Sequence, residues 1–153
     1  MPRELVIMRH GSAAIRAPSD ALRPLLQQGE DEVHRACSRF PFYPSVIYHS
    51  TLLRAKQTAS ILLSYYPKAQ VIEVNWLVPE ARPQEVLEHL PVDEANVVLV
   101  SHQPLVSSLA ALLTQGNERY AHNIPYLDTA NYFQLHAEVF QAGCAELVNT
   151  YTG

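Results

Sequence analysis

Two apolar runs of strand length each end directly at a histidine. The run Leu5–Met8 is followed by Arg-His-Gly at positions 9–11, and the run Val97–Val100 by Ser-His at positions 101–102. Continuous apolar runs are typical of strands that are buried on both faces of a parallel sheet. Because the carboxyl ends of parallel strands meet at one edge of a sheet, and ligands bind there, the two histidines are expected to share a site.

The rest of the chain alternates predicted strands with predicted helices. Strands are predicted at 4–9, 45–49, 70–74 and 96–101, and helices at 27–40, 52–66, 83–90 and 104–114. Two further strand-like stretches, 130–137 and 145–150, are joined by a turn at 141–143. This order predicts an α/β three-layer sandwich, with a mostly parallel central sheet, helices on both faces and an antiparallel C-terminal edge hairpin.

Length and charge limit the possible functions. The 153 residues correspond to one domain, 1–153, with no separate lid domain. A net charge of -4 at pH 7 disfavours a general surface for nucleic acid or for an acidic membrane. No apolar run approaches the ~20 residues of a membrane span, and the N-terminus enters a strand without the apolar segment of a signal peptide. We therefore expect a cytoplasmic protein that binds neither nucleic acid nor membrane.

The residues around the first histidine suit chemistry on phosphate. A neutral His10 can attack phosphorus through one ring nitrogen while the other donates a hydrogen bond to a nearby backbone carbonyl. Arg9 can hold phosphoryl oxygens in a fork, and Gly11 lets the backbone approach an anion closely. Arg54 follows the predicted strand 45–49, so we expect it at the same edge of the sheet, where helix N-termini add positive potential.

Two other kinds of catalytic site are disfavoured by spacing. Cys37 and Cys144 form no Cys-x-x-Cys pair, and both are interpreted as buried thiols. Cysteine-dependent phosphatases, by the pattern of their family, have an arginine six residues after the thiolate, where this chain has Tyr43 and Thr150. The seven histidines show no His-x-x-x-His spacing, and the sequence contains no Asp-x-Asp motif. No metal and no other cofactor is therefore expected.

These blocks, in this order, resemble the histidine phosphatase superfamily, which is also called phosphoglycerate mutase-like. The matching stretches are Val6–His10 with Gly-Ser-Ala after it, Leu-Arg-Pro-Leu at 22–25 with Gly29 beyond it, 50–59 and 101–106. Within the superfamily the chain looks most similar to the small bacterial phosphohistidine phosphatases of the SixA type. The resemblance implies a covalent phosphohistidine intermediate on His10.

With this resemblance, roles are expected for the other residues of the site. Arg9 and Arg54 would clamp the phosphoryl oxygens, and His102 would donate a hydrogen bond to the same group. The backbone NH of Gln103 would be a further donor. A cationic His102 would keep His10 unprotonated. The alternative for these side chains is a structural role, in surface ion pairs or in hydrogen bonds to backbone.

Arg23 and Glu80 are assigned by position alone. Arg23 lies in a segment that resembles the family's loop over the pocket, so we expect it to bind phosphate or acidic groups of the substrate, or else to be solvated. Longer members of the superfamily use a glutamate to protonate the leaving group. Glu80 is the candidate here, with a helix-start or surface role as the alternative. Ser12 stands where the nearest relatives often have an acidic residue.

The leading hypothesis is a metal-independent phosphatase that removes phosphate from phosphohistidine on a partner protein. The expected partner is a histidine-containing phosphotransfer domain, and the product is inorganic phosphate. The alternatives are a small-molecule phosphomonoesterase or mutase of the same superfamily, or a phosphate-binding module without turnover. Retention of both arginines and both histidines favours an enzyme, because a binding module needs the cations but no unprotonated nucleophile.

Overall fold

The computed structural model describes residues 2–153. Within these residues, six strands form one sheet: β1 Arg3–Arg9, β2 Val46–His49, β3 Gln70–Glu73, β4 Asn96–Ser101, β5 Tyr132–Ala137 and β6 Glu146–Tyr151. The α-helices of the same residues are α1 Gln27–Cys37, α2 Leu53–Tyr65, α3 Pro83–His89 and α4 Leu105–Gln115. Short 3-10 helices at Asp20–Leu22, Asn75–Leu77 and Glu118–Asn123 lie in the connections.

The sheet combines a parallel part with an antiparallel edge. Its strand order is β3-β2-β4-β1-β5-β6. The first four strands in this order run parallel, whereas β5 is antiparallel to β1 and β6 is antiparallel to β5. The predicted α/β sandwich, with its mostly parallel sheet and antiparallel C-terminal edge hairpin, is therefore confirmed.

Two apolar clusters, one on each face of the sheet, hold the layers together. One contains the apolar stripes of α1 and α2, and the other contains those of α3 and α4. The residues Leu5–Met8 and Val97–Val100 contribute to both clusters, and their side chains are fully buried. Burial on both faces explains why these central strands are apolar without alternation.

The register of the central strands places their carboxyl ends side by side. In β1 and β4, Arg9 is paired with Ser101, and the NH of His10 donates to the carbonyl of Ser101 at 3.1 Å. On the other side of β4, His49 of β2 is paired with Val100. The chain therefore leaves all three strands at the same edge of the sheet.

The helix boundaries differ from the prediction by up to three residues. The first helix ends at Cys37 and not at residue 40. Phe40 lies in the loop that follows, where its ring contacts those of Tyr66 and Tyr132 at 5.8 and 5.3 Å between centroids. Its packing continues the apolar stripe of the helix although the backbone has already left the helix. The fourth helix begins at Leu105, one residue later than predicted, and follows a cis peptide bond before proline.

The two cysteines differ in burial. The interpretation as a buried thiol is right for Cys37 and wrong for Cys144, which is exposed in the connection between β5 and β6. Apolar contacts of α1 bury the first thiol, whereas the second lies beyond the end of a strand.

No helix within residues 2–153 is long and apolar enough to cross a membrane.

Candidate active site

Buried polar side chains are concentrated at one edge of the sheet. Within residues 2–153, the buried polar or charged residues are Arg3, His10, His49, Ser50, Arg54, Thr58, Ser101, His102 and Asn131. All of them except Arg3 lie at or beside the carboxyl ends of β1, β2 and β4. Because burial of polar groups costs free energy, such a concentration is typical of a functional site.

The structure brings the two predicted histidines together at this edge. The ring centroids of His10 and His102 are 4.9 Å apart, and the ring planes are tilted by 53°. Their distance follows from the register, since each residue directly follows a strand and the two strands are neighbours.

The hydrogen bonds of His10 determine its tautomer. Its Nδ1 lies 2.7 Å from the carbonyl oxygen of Gly11, and a carbonyl can only accept, so Nδ1 carries the proton. The lone pair is therefore on Nε2. Burial, together with the charges of Arg54 and Arg9, lowers the pKa of His10 to about 4, although the Gly11 hydrogen bond acts in the opposite direction. At neutral pH the ring is therefore neutral.

His102 is held in the same Nδ1–H tautomer as His10, by a serine hydroxyl. Its Nε2 lies 2.6 Å from Oγ of Ser50, and the same Oγ accepts a hydrogen bond from the NH of Leu52 at 3.3 Å. The hydroxyl proton is then available for Nε2, which leaves the ring proton of His102 on Nδ1. That Nδ1 is buried and has no hydrogen-bond partner within residues 2–153.

The prediction of a cationic His102 is wrong. Burial lowers the pKa of His102 far below its usual range, and the neighbouring His10 and Arg54 lower it further. A neutral imidazole can still donate one hydrogen bond, so the predicted donor role requires no charge on the ring. The charges that keep His10 unprotonated come from the arginines and not from His102.

Within residues 2–153, part of the Arg9 guanidinium forms hydrogen bonds with other residues, and part does not. Its Nη1 donates to the hydroxyl of Tyr126 and to the carbonyl of Leu127, both at 3.1 Å. Its Nε is buried without a hydrogen-bond partner within the described residues. The amide of Gln103 also reaches the carbonyl of Leu127, at 3.5 Å, so the two predicted residues are anchored to the same loop.

Arg54 and Arg23 are connected through one carboxylate. Nη1 and Nη2 of Arg54 donate to the backbone oxygen and to Oδ2 of Asp20 at 2.8 and 3.2 Å. Nη1 of Arg23 donates to Oδ1 of the same residue at 2.9 Å. Nε of Arg23 also donates to the carbonyl of Ala14 at 2.6 Å. Arg23 is therefore fixed at the rim of the site, and its charge acts on His10.

The loop after β1 is packed tightly against two helices. The NH of Gly11 donates to Oγ1 of Thr58 on α2 at 3.1 Å. A Cβ atom at Gly11 would lie 2.7 Å from the backbone oxygen of Gly29 on α1, so a larger residue would displace the loop. Close approach of this loop, and not a positive φ, accounts for the glycine.

A half-buried carboxylate from α1 fixes the next residue of the loop. Glu32 accepts hydrogen bonds from the NH and the hydroxyl of Ser12 at 2.9 and 2.7 Å. It also accepts one from Thr129 at 2.9 Å. Partial burial raises the pKa of Glu32, but these hydrogen bonds outweigh burial and lower it. Glu32 therefore brings a carboxylate to the backbone and side chain of Ser12.

Glu80 occupies a different environment from the other predicted residues. It lies in the turn between the 3-10 helix Asn75–Leu77 and α3, and it is exposed. Its role as an acid is therefore not supported by a contact with the histidines and stays a prediction. No group of three His, Cys, Asp or Glu side chains within residues 2–153 is arranged to hold a metal ion.

Sequence reasoning missed three residues that organise the site. Asp20 joins two arginines, Ser50 sets the tautomer of His102, and Thr58 holds the loop at Gly11. All three fall within or beside the blocks that carry the family resemblance. Their place in these blocks was the signal that the sequence offered, because most of their hydrogen-bond partners are distant along the chain.

Comparisons with known proteins agree with this geometry. The model of the histidine phosphatase superfamily (branch 1) matches residues 5–92. The chain is 33% identical over 127 residues to phosphohistidine phosphatase SixA of Escherichia coli (strain K12), covering 74% of this chain and 75% of that protein. It is also similar to the solved structure of the protein histidine phosphatase SixA complexed with tungstate, at a TM-score of 0.80 and 25% identity over 97% and 96% of the two chains.

A more distant structure shows how widely the fold is shared. A mycobacterial glucosyl-3-phosphoglycerate phosphatase matches the whole chain at a TM-score of 0.76 and 19% identity, with 100% of both chains covered. At this identity the likeness concerns the fold alone. The sequence match, the family model and the paired histidines agree on one assignment. The chain is a phosphatase and belongs to the histidine phosphatase superfamily.

Proposed function

We propose that this phosphatase removes the phosphoryl group from phosphohistidine on a partner protein, through a covalent phosphohistidine on His10. The main support is the state of the two facing imidazoles. His10 has its Nδ1 bonded to the carbonyl of Gly11 and its lone pair on Nε2, and its ring centroid is 4.9 Å from that of His102. Both rings are neutral at physiological pH because they are buried beside cations.

In the proposed first step, the lone pair on His10 Nε2 attacks phosphorus. The phosphorus–nitrogen bond of the substrate breaks, and its electron pair stays on the leaving imidazole. In the second step, water attacks the same phosphorus, the bond to His10 breaks and inorganic phosphate is released. The role of Gly11 in these steps is to hold the ring through its carbonyl oxygen.

The buried donors without partners are proposed to bind the phosphoryl oxygens. Nε of Arg9 and Nδ1 of His102 each lack an acceptor within the described residues, and a phosphoryl group would supply one. Arg54, Arg23 and the backbone NH of Gln103 are proposed to add further donors. Donors that are fixed before the reaction stabilise the charge of the transition state without reorganisation.

Glu80 is proposed to act only on phosphate esters. An ester must have its leaving oxygen protonated, whereas an imidazole that is protonated on its distal nitrogen leaves as a neutral molecule. We therefore expect Glu80→Gln to slow the hydrolysis of an aryl phosphate more than that of phosphohistidine. Equal kcat/KM losses on both substrates would contradict this role.

A protein substrate, in a single domain 1–153 without a lid, is also part of the proposal. The connection from β3 to α3 contains one 3-10 turn and a short turn, which supports an open site that a side chain of another protein can reach. The similarity to the Escherichia coli phosphohistidine phosphatase SixA supports phosphohistidine as the substrate. A histidine-containing phosphotransfer domain is the proposed partner, and the cytoplasm is the proposed location.

The substrate class can be tested by comparing catalytic efficiencies. The purified protein is given a phosphotransfer domain phosphorylated on histidine, a sugar phosphate and an aryl phosphate, with His10→Ala as the control. We expect kcat/KM to be at least about 100-fold higher on phosphohistidine than on either ester. A preference for an ester would favour a small-molecule phosphomonoesterase or mutase. Phosphate binding without turnover of any substrate would favour a binding module.

A further inference from the structure

Asp20 is the acidic residue that contacts the phosphate-binding arginines. Its carboxylate accepts hydrogen bonds from Arg23 at 2.9 Å and from Arg54 at 3.2 Å, and its backbone oxygen accepts a second one from Arg54. Its charge also acts on His102. A negative group is therefore held beside a site that must bind an anion.

This carboxylate does not use up the arginine that it contacts. A guanidinium has five N–H donors, and Asp20 takes two of those of Arg54. Three donors remain for phosphoryl oxygens. Asp20 can therefore stay in contact with Arg54 when a phosphoryl group binds.

Asp20 lies at the mouth of the site, where its charge faces an incoming substrate. Its side chain is 66% exposed, whereas that of Arg54 is 6% exposed. Arg54 lies at the bottom and Asp20 faces solvent, from which the substrate arrives. The hydrogen bond from Arg23, together with Arg54, lowers the pKa of Asp20 and keeps it ionised.

We propose that Asp20 determines specificity for the leaving group: its carboxylate accepts a hydrogen bond from the protonated distal ring nitrogen of a phosphorylated imidazole. This inference rests on the proposed function, since it names how the same site recognises phosphohistidine. A carboxylate attracts a cationic ring. It repels the leaving oxygen of an ester, because negative charge develops on that oxygen as the bond to phosphorus breaks.

The chemical step is balanced without a further acid. The bond from phosphorus to His10 Nε2 forms while the bond to the substrate nitrogen breaks. The electron pair of the broken bond neutralises the positive ring, and the imidazole leaves neutral with its distal N–H still bonded to Asp20. An ester gains nothing from this contact, because its leaving oxygen has no N–H to donate.

The test measures the ratio of kcat/KM for a phosphohistidine-bearing phosphotransfer domain to that for an aryl phosphate. It compares wild type, Asp20→Asn and the control Asp93→Asn. The control removes the same charge from an exposed residue before β4, at the opposite edge of the sheet. We expect the ratio to fall at least about 10-fold in Asp20→Asn, because a charge-assisted hydrogen bond is lost, and to stay at the wild-type value in the control.

Two results would overturn the inference, and they differ from failure of the proposed function. Equal losses of kcat/KM on both substrates would mean that Asp20 only orients Arg54, and wild-type kcat/KM on both substrates would mean that it contributes nothing. Inorganic phosphate binding adds a second readout. Asp20→Asn should bind phosphate at least as tightly as wild type, since a neighbouring negative charge is removed, whereas weaker binding would also indicate a role in orienting Arg54. If wild type does not dephosphorylate the phosphotransfer domain, the proposed function itself fails.

Discussion

The two ends of the central strands each hold an arginine, and the hydrogen bonds of the two arginines differ. At the amino ends of the strands, Arg3 donates to the carbonyls of Glu94 and Pro91, and its guanidinium lies 4.0 Å from the ring centroid of Phe140. At the carboxyl ends, Arg9 has a buried Nε without an acceptor within residues 2–153. The amino-end arginine is satisfied by the protein, whereas the carboxyl-end arginine is not.

This difference separates a structural cation from a functional one. A buried donor that lacks a partner costs about 1–3 kcal/mol, and a fold keeps such a group only where something else supplies the acceptor. The second orphaned donor of this edge, Nδ1 of His102, lies in the same site. Unsatisfied hydrogen-bond donors, and not burial alone, therefore support the catalytic role that we propose for Arg9.

The largest effect on activity is expected from replacing Arg9, the arginine at the carboxyl ends of the strands. We expect Arg9→Met to lower kcat/KM about 100- to 1000-fold, because one fixed donor to the transition state is lost. The free energy of unfolding should stay within about 1 kcal/mol of wild type, since removal of the unsatisfied Nε offsets loss of the hydrogen bonds to Tyr126 and Leu127. Steady-state kinetics and urea unfolding measure both quantities. A large loss of stability with unchanged kcat/KM would reverse the assignment.

Removing the amino-end arginine should have the opposite result. Arg3→Met leaves two carbonyl acceptors without their donor, so we expect the free energy of unfolding to fall by about 2–3 kcal/mol. The kcat of the folded fraction should equal that of wild type. Urea unfolding and active-site titration measure the two effects. Loss of kcat in fully folded Arg3→Met would show that this edge takes part in the chemistry.

The serine beside His102 allows a finer test of the carboxyl edge. Ser50→Ala removes the hydroxyl that sets the tautomer, so we expect about a 10-fold loss of kcat/KM. In wild type, ¹⁵N spectra should show the His102 proton on Nδ1, and in the variant the proton should be shared between both nitrogens. Ser101→Ala is the matched control, because Ser101 donates to the carbonyl of Leu77 and not to a histidine.

The smallest expected effect concerns pH. A His10 pKa of about 4 in the folded protein, against about 6.5 in the unfolded chain, means that the unfolded chain binds more protons between these values. Stability due to His10 is then complete above pH 6.5 and decreases as the pH falls, by about 1 kcal/mol at pH 5.5. An NMR titration checks the cause: a midpoint of His10 near 6.5 would contradict it. The slope of stability against pH should be lower in His10→Asn.

The sheet and the histidine pair were predictable because their signals are local. The apolar runs before His10 and His102 identify buried parallel strands without knowledge of the fold. Once those strands are neighbours, their carboxyl ends coincide. Recognition of the family added the roles, since the order of the blocks is specific.

The remaining features depend on contacts between distant parts of the chain. Asp20 meets Arg54 across 34 residues, and Ser50 meets His102 across 52. Local patterns contain no information about such pairs. The charge of His102 was predicted wrongly for the same reason, because its pKa depends on burial that only the assembled sheet provides.

The most direct test of the central claim is to map the covalent intermediate. The protein is mixed with a phosphohistidine donor carrying labelled phosphate, quenched rapidly without acid and digested, and the labelled residue is identified by mass spectrometry. The account predicts the label on His10 in wild type and no labelled protein in His10→Ala, whereas His102→Ala should label more slowly at the same residue. A label on another residue, or turnover by His10→Ala at the wild-type rate, would contradict it.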